Sequence, residues 1–140
     1  LDMKNLQKII FDRYYLLLIS LPIPVWFYLS SFSEINYLPF DKILTLIILF
    51  PIIEETLFRG ILLPFLSNKF PQRWKSITVA NVATSILFSI SHLYAHDPIW
   101  AFATFLPSLV FGWAQERYNN LLAPISLHSY YNAGWFLLIN

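Results

Sequence analysis

Apolar residues in this chain fall into five long runs separated by short polar breaks, at residues 14–29, 43–66, 76–95, 99–115 and 121–139. Each run approaches the about 20 helical residues that cross about 30 Å of hydrocarbon. The pattern predicts an all-α protein, a polytopic transmembrane helical bundle of about five spans. No repeat, low-complexity tract or linker divides it, so a single membrane domain over residues 1–140 is expected. Pro22 and Pro24 interrupt the first run, and Pro51 and Pro64 fall inside the second. Proline removes a backbone donor and bends a helix, and neighbouring helices can satisfy the carbonyls it releases.

Composition agrees with that pattern. The chain is 57% hydrophobic and 12% charged, against roughly 25% charged in a soluble domain. Tyr14, Tyr15, Trp26, Trp74, Trp100, Trp113 and Tyr118 cluster near the ends of the runs, where amphipathic rings form an interfacial belt at headgroup depth. A net charge of +1 with no basic stripe excludes nucleic acid as a partner. With no cysteine, thiolate chemistry, disulfides and cysteine-type zinc sites are excluded. The chain opens Leu1-Asp2 rather than on an initiator Met, as a piece of a longer protein would. Its first run ends in no small-residue cleavage site and reads as a span, not a signal peptide.

The charges alternate from side to side. Lys4, Lys8 and Arg13 precede the first run, Lys69, Arg73 and Lys75 lie between the second and third, and Arg117 lies between the fourth and fifth. Lys42 is on the opposite side, with Glu34, Asp41 and Asp97. The positive-inside rule then puts the amino terminus and the 68–75 loop in the cytoplasm.

Against this apolar background, Glu54, Glu55 and Arg59 stand out inside the second run. An ionised side chain there costs at least about 2.5 to 3.5 kcal/mol. Glu55 and Arg59, four apart with the acid first, share a helical face and can neutralise each other. Glu54 lies about 100° round the helix and needs a different partner. A purely structural reading makes the group a buried ion pair plus one protonated Glu acting as interhelical glue. In the third run Asn81, Ser85, Phe88 and His92 follow one helical face, which turns His92 into the bundle. In the fifth, His128 and Asn132 are four apart on one face. A lone buried His is more often a satisfied structural group than a catalyst. A carboxylate, two imidazoles and a carboxamide on three separate runs point instead to function.

Several chemistries use such a set. Glu54 as general base with His92 activates a water for attack on an amide carbonyl. His128 and Asn132 then donate to the developing oxyanion, at about 2.7 to 4 kcal/mol per donor. Alternatively Glu54, His92 and His128 bind a divalent metal such as zinc with one position left for water. The residue types leave both open. His92 and His96 have the spacing of the zinc-peptidase motif H-E-x-x-H, but Leu93 stands where its Glu would be. A serine mechanism lacks a G-x-S-x-G-like setting, and no Asp falls inside a run to supply an aspartate pair.

Glu54-Glu55-Thr56-Leu57-Phe58-Arg59 resembles the E-E-x-x-x-R motif of the CAAX protease and bacteriocin-processing family. Phe88-Ser89-Ile90-Ser91-His92 is similar to its F-x-x-x-H motif, and His128-Ser129-Tyr130-Tyr131-Asn132 to its H-x-x-x-N motif. The three occur in the family's order, each on its own run, over a core at about residues 51–134. The resemblance implies an intramembrane glutamate-type endopeptidase, with Glu54 and His92 activating water, His128 and Asn132 forming the oxyanion site, and Glu55 and Arg59 in support. The expected partners are a membrane-associated peptide or protein substrate and the lipid bilayer. The expected place is a bacterial cell membrane, with the chain integral and multi-pass, and no cofactor is expected. The alternatives are a zinc-dependent peptidase using Glu54, His92 and His128, or a non-catalytic membrane immunity or scaffold protein. A proton-coupled transporter would carry inverted repeats, and the sequence has none. The family commonly carries further spans, and nothing in the sequence marks a prenyl pocket.

Overall fold

In the computed structural model, residues 3–33 and 37–139 are described, with side chains from residue 6 onward. Leu1, Asp2 and Glu34, and the side chain of Lys4, lie outside the described residues. The chain is mostly helical and falls into two compact units, residues 1–52 with 125–140, and residues 53–124.

Helix α1 (Met3–Ile10) precedes the first apolar run, where no helix was expected. Leu6, Ile9 and Ile10 recur at helical spacing between polar residues, so the short stretch has an apolar face. The first run is helical in two pieces, α2 (Arg13–Ser20) and α3 (Ile23–Ser30), which meet at Leu21 and Pro22. The Asp12 side chain caps α2 by accepting from the Tyr14 N–H at 2.8 Å.

The second run does not break at its prolines. Segments α4 (Phe40–Ile43), a π-helical Leu44–Leu49, α5 (Phe50–Glu55), a π-helical Thr56–Leu62 and α6 (Leu63–Lys69) abut without a gap. Each π segment stands just ahead of a proline. The Phe50 N–H bonds the carbonyl of Thr45, five residues back, and the next residue is Pro51. Leu63 bonds Phe58 in the same way, ahead of Pro64. Widening the turn shifts the hydrogen-bond register where a proline ring would otherwise press on the carbonyl four residues back, so the helix continues.

The 68–75 loop carries an element that the apolar pattern did not show. Strands β1 (Arg73–Trp74) and β2 (Ile77–Thr78) pair antiparallel, Arg73 opposite Thr78 and Trp74 opposite Ile77. Lys75, at φ 54°, makes the turn. The Thr78 side chain then caps α7 (Val79–His92), accepting from the Asn81 N–H at 2.9 Å. The fourth run divides into α8 (Pro98–Ala103) and α9 (Phe105–Tyr118) at Thr104. The division puts Pro107 in the first turn of α9, where a missing N–H costs nothing. The fifth run is α10 (Leu122–Leu138).

Within the 53–124 unit, α7 packs on α6 and along α9. The closest approach is at Gly112, where even a Cβ would overlap the Asn81 carboxamide. That carboxamide donates to the Leu109 carbonyl at 3.0 Å. Among the described residues, no helix is long and apolar enough to cross a membrane.

Candidate active site

The firmest polar centre lies in the 53–124 unit. Glu55 and Arg59 are both fully buried, and Arg59 Nη1 donates to Glu55 Oε1 at 2.9 Å across one turn. The other guanidinium nitrogen, Nη2, donates to the Ser108 carbonyl at 2.8 Å and to the Ser108 hydroxyl. The ring centroids of Phe88 and Phe111 lie 4.8 and 5.5 Å from the guanidinium carbon, within cation–π range. Taking two charges out of water costs several kcal/mol per ion, offset only when each finds good partners. Here the partners come from three elements, so the pair fastens the π-helical Thr56–Leu62 segment to α7 and α9.

Glu54 stands beside Glu55 at the end of α5 and is half-buried. His92 is the last residue of α7, also half-buried, with Nδ1 2.8 Å from the carbonyl of Phe88 one turn earlier. A carbonyl only accepts, so Nδ1 carries the proton in this bond and the neutral ring keeps Nε2 as its acceptor. The Phe88 and Trp100 rings lie 4.5 and 5.8 Å from the His92 ring and hold its plane. Glu54 and His92 therefore sit on elements of one unit, the helical run and α7, the latter packing against the Thr56–Leu62 segment.

His128 and Asn132 belong to the other unit, one turn apart on α10. His128 is buried, at 5% exposure. Asn132 Nδ2 donates to the Leu46 carbonyl at 2.8 Å. That carbonyl stands in the π segment five residues before Pro51, which has no N–H to give it, and the Phe50 N–H is bonded to Thr45 instead. The neighbouring Tyr131 does the same for the first run, its hydroxyl donating to the Leu18 carbonyl at 2.8 Å. Leu18 is four residues before Pro22, so here too a proline has withheld the helical donor. Adjacent residues of α10 thus satisfy carbonyls released by two different prolines. Tyr15 and Ser126, hydroxyl to hydroxyl at 2.7 Å, and the edge-on contact of Trp26 with Tyr130 hold α10 in the same unit.

The sequence paired Glu55 with Arg59, and the structure makes that bond. Ser108, Phe111 and Tyr131 were not foreseen as partners of this polar framework. Ser108 and Phe111 bear no local signature, whereas the released carbonyl at Leu18 was readable from Pro22 and called for a donor somewhere. No group of three or more His, Asp or Glu side chains that could hold a metal ion occurs among the described residues.

Residues 37–134 match the family described as type II CAAX prenyl endopeptidase Rce1-like. The match covers most of the chain and takes in Glu54, Glu55, Arg59, His92, His128 and Asn132; the protein belongs to this family of membrane proteases. The chain is also 37% identical over 87 residues to an uncharacterised 24.3 kDa protein of Escherichia coli, an alignment covering 61% of this chain and 38% of that one. The chain thus spans about two-fifths of the length of this curated relative. No solved structure matches it significantly.

Proposed function

We propose that this protein is the core of an intramembrane endopeptidase that cleaves a peptide bond in a membrane-associated peptide or protein. The observation that carries the reading is the presence of all three motifs, in order, inside the family match at residues 37–134. In this reading Glu54 takes a proton from a water and the resulting hydroxide attacks the scissile carbonyl carbon. His92, its Nδ1 engaged by Phe88, presents Nε2 to the same water or to Glu54. The oxyanion is held by His128 and by Asn132, which has a second carboxamide N–H beyond the one given to Leu46. The proton then passes to the departing amine nitrogen, so the carbon–nitrogen bond breaks and a carboxylate and an amine are released. Glu55 and Arg59 hold the helix that presents Glu54.

Residence in the bilayer is part of the proposal. Within the 53–124 unit Ile53, Leu57, Ile61 and Phe65 recur every four residues and are all exposed, a face suited to lipid. The test is cleavage by purified protein in vesicles. Glu54→Ala, His92→Ala and His128→Ala should each abolish it while the helical circular dichroism is unchanged, and activity should survive exhaustive chelation. Activity lost on chelation and restored by zinc would favour the metal-dependent alternative.

A further inference from the structure

One end of the 53–124 unit differs in charge from the rest of it. Apart from the buried Arg59, its basic side chains, Lys69, Arg73, Lys75 and Arg117, all occur where α6 ends, the hairpin turns and α9 ends. The Thr78 hydroxyl donates to the carboxylate of Glu116, which joins the last hairpin residue to α9 one position before Arg117. The Val79 N–H closes the hairpin on the Gln72 carbonyl at 3.0 Å. Glu116 is half-buried and engaged by Thr78, so the exposed charge here is basic. Aromatic rings lie among these cations. Trp74 is 75% exposed, with Lys75 Nζ 5.6 Å from its ring centroid, and Lys69 Nζ stands 4.5 Å from the Phe65 ring.

A large indole held out at a hairpin turn, with one ammonium beside its ring and further cations at the same end of the unit, suits the boundary between lipid tails and phosphates. There the ring body meets apolar chains while the ammonium and guanidinium groups reach headgroup oxygens. We propose that the Arg73–Thr78 hairpin is a lipid-surface anchor, seating Trp74 at headgroup depth and placing Lys69, Arg73, Lys75 and Arg117 against the phosphates of anionic phospholipid. The proposal rests on the reading that the protein resides in a membrane, but not on its catalytic assignment. Charge complementarity selects the occupant, because an anionic leaflet attracts basic segments beside a span and a zwitterionic one does so far less.

The experiment reconstitutes the full chain into vesicles of phosphatidylglycerol or of phosphatidylcholine. The fluorescence of Trp74 is read as the difference between the protein and Trp74→Phe. In phosphatidylglycerol, Trp74 emission should be blue-shifted, shielded from aqueous acrylamide and quenched by a nitroxide lipid labelled near the headgroup. Arg73→Gln with Lys75→Gln should weaken this seating, by about fivefold for each charge removed. Equal acrylamide quenching in the two lipids overturns the anchor, as does a double variant that keeps the shift. Shielding in lipid-free micelles that grows with protein concentration also overturns it, since a second copy then covers Trp74. Protein that floats with the vesicles but leaves Trp74 in water defeats the anchor alone. Protein that fails to float defeats the membrane reading with it.

Discussion

Tyr131→Phe removes only the hydroxyl that donates to the Leu18 carbonyl, and Pro22 withholds the helical N–H that would replace it. Leaving such an acceptor without its donor costs about 1–3 kcal/mol when it is buried. Between helices in a membrane, measured hydrogen-bond contributions average about 0.6 and reach about 1.7 kcal/mol. Tyr131 is half-buried, so Tyr131→Phe should destabilise by about 1 kcal/mol. Pro22 already has helical dihedrals, φ −77° and ψ −16°. Pro22→Ala therefore introduces an N–H four residues after Leu18 without bending the chain. In that background Tyr131→Phe should cost less than about 0.3 kcal/mol, a coupling that a double-mutant cycle resolves. Reversible unfolding in mixed micelles titrated with dodecyl sulfate, followed by circular dichroism, supplies the four free energies. Pro24→Ala is the control, because its missing N–H does not face Leu18. An equal cost of Tyr131→Phe in the wild-type, Pro22→Ala and Pro24→Ala backgrounds would show that the hydroxyl does not stand in for the proline's absent donor.

Arg59→Met takes from Glu55 its buried ion-pair partner and should cost about 3–5 kcal/mol, whereas Arg59→Met with Glu55→Met should cost much less. A double variant as unstable as the sum of the two singles would show that pairing is not what makes both charges tolerable. Glu116 provides a pH test outside the expected spans. Burial pushes its carboxyl above the usual value of 4.5, partly opposed by the Thr78 hydrogen bond and by Arg73. The folded protein thus favours the protonated form, and the stability from Glu116 is full below the ordinary carboxylate range and lost as pH rises through the raised value. Glu116→Gln should flatten that fall while keeping an acceptor for Thr78, and an unchanged pH–stability curve would contradict it.

The helical elements were legible because apolar runs of near-constant length leave few other folds, and the Glu55–Arg59 bond because a four-residue spacing closes on one helix. What the sequence did not show was local. Pro51 and Pro64 were expected to bend the second run while leaving it one helix, and the means by which it continues, a π turn before each ring, has no signature in the apolar pattern. The Thr104 break and the two-residue strands of the hairpin are too short to leave a period in the hydropathy pattern. The partners of Arg59 at Ser108 and of Leu18 at Tyr131 depend on contacts 49 and 113 residues apart in the chain, which spacing along one element does not encode. Asn132 shows the same limit. Its place in H-x-x-x-N was readable, but its bond to the Leu46 carbonyl depends on the register that the π turn sets.

The sharpest test of Glu54 as the base is the isosteric Glu54→Gln variant, assayed on a membrane-anchored quenched-fluorescent peptide in the vesicles that support wild-type cleavage. A carboxamide of the same shape cannot accept the proton from water, so kcat/KM should fall by about 10²- to 10⁴-fold with the fold retained. Cleavage by Glu54→Gln at the wild-type rate would remove Glu54 from the chemistry.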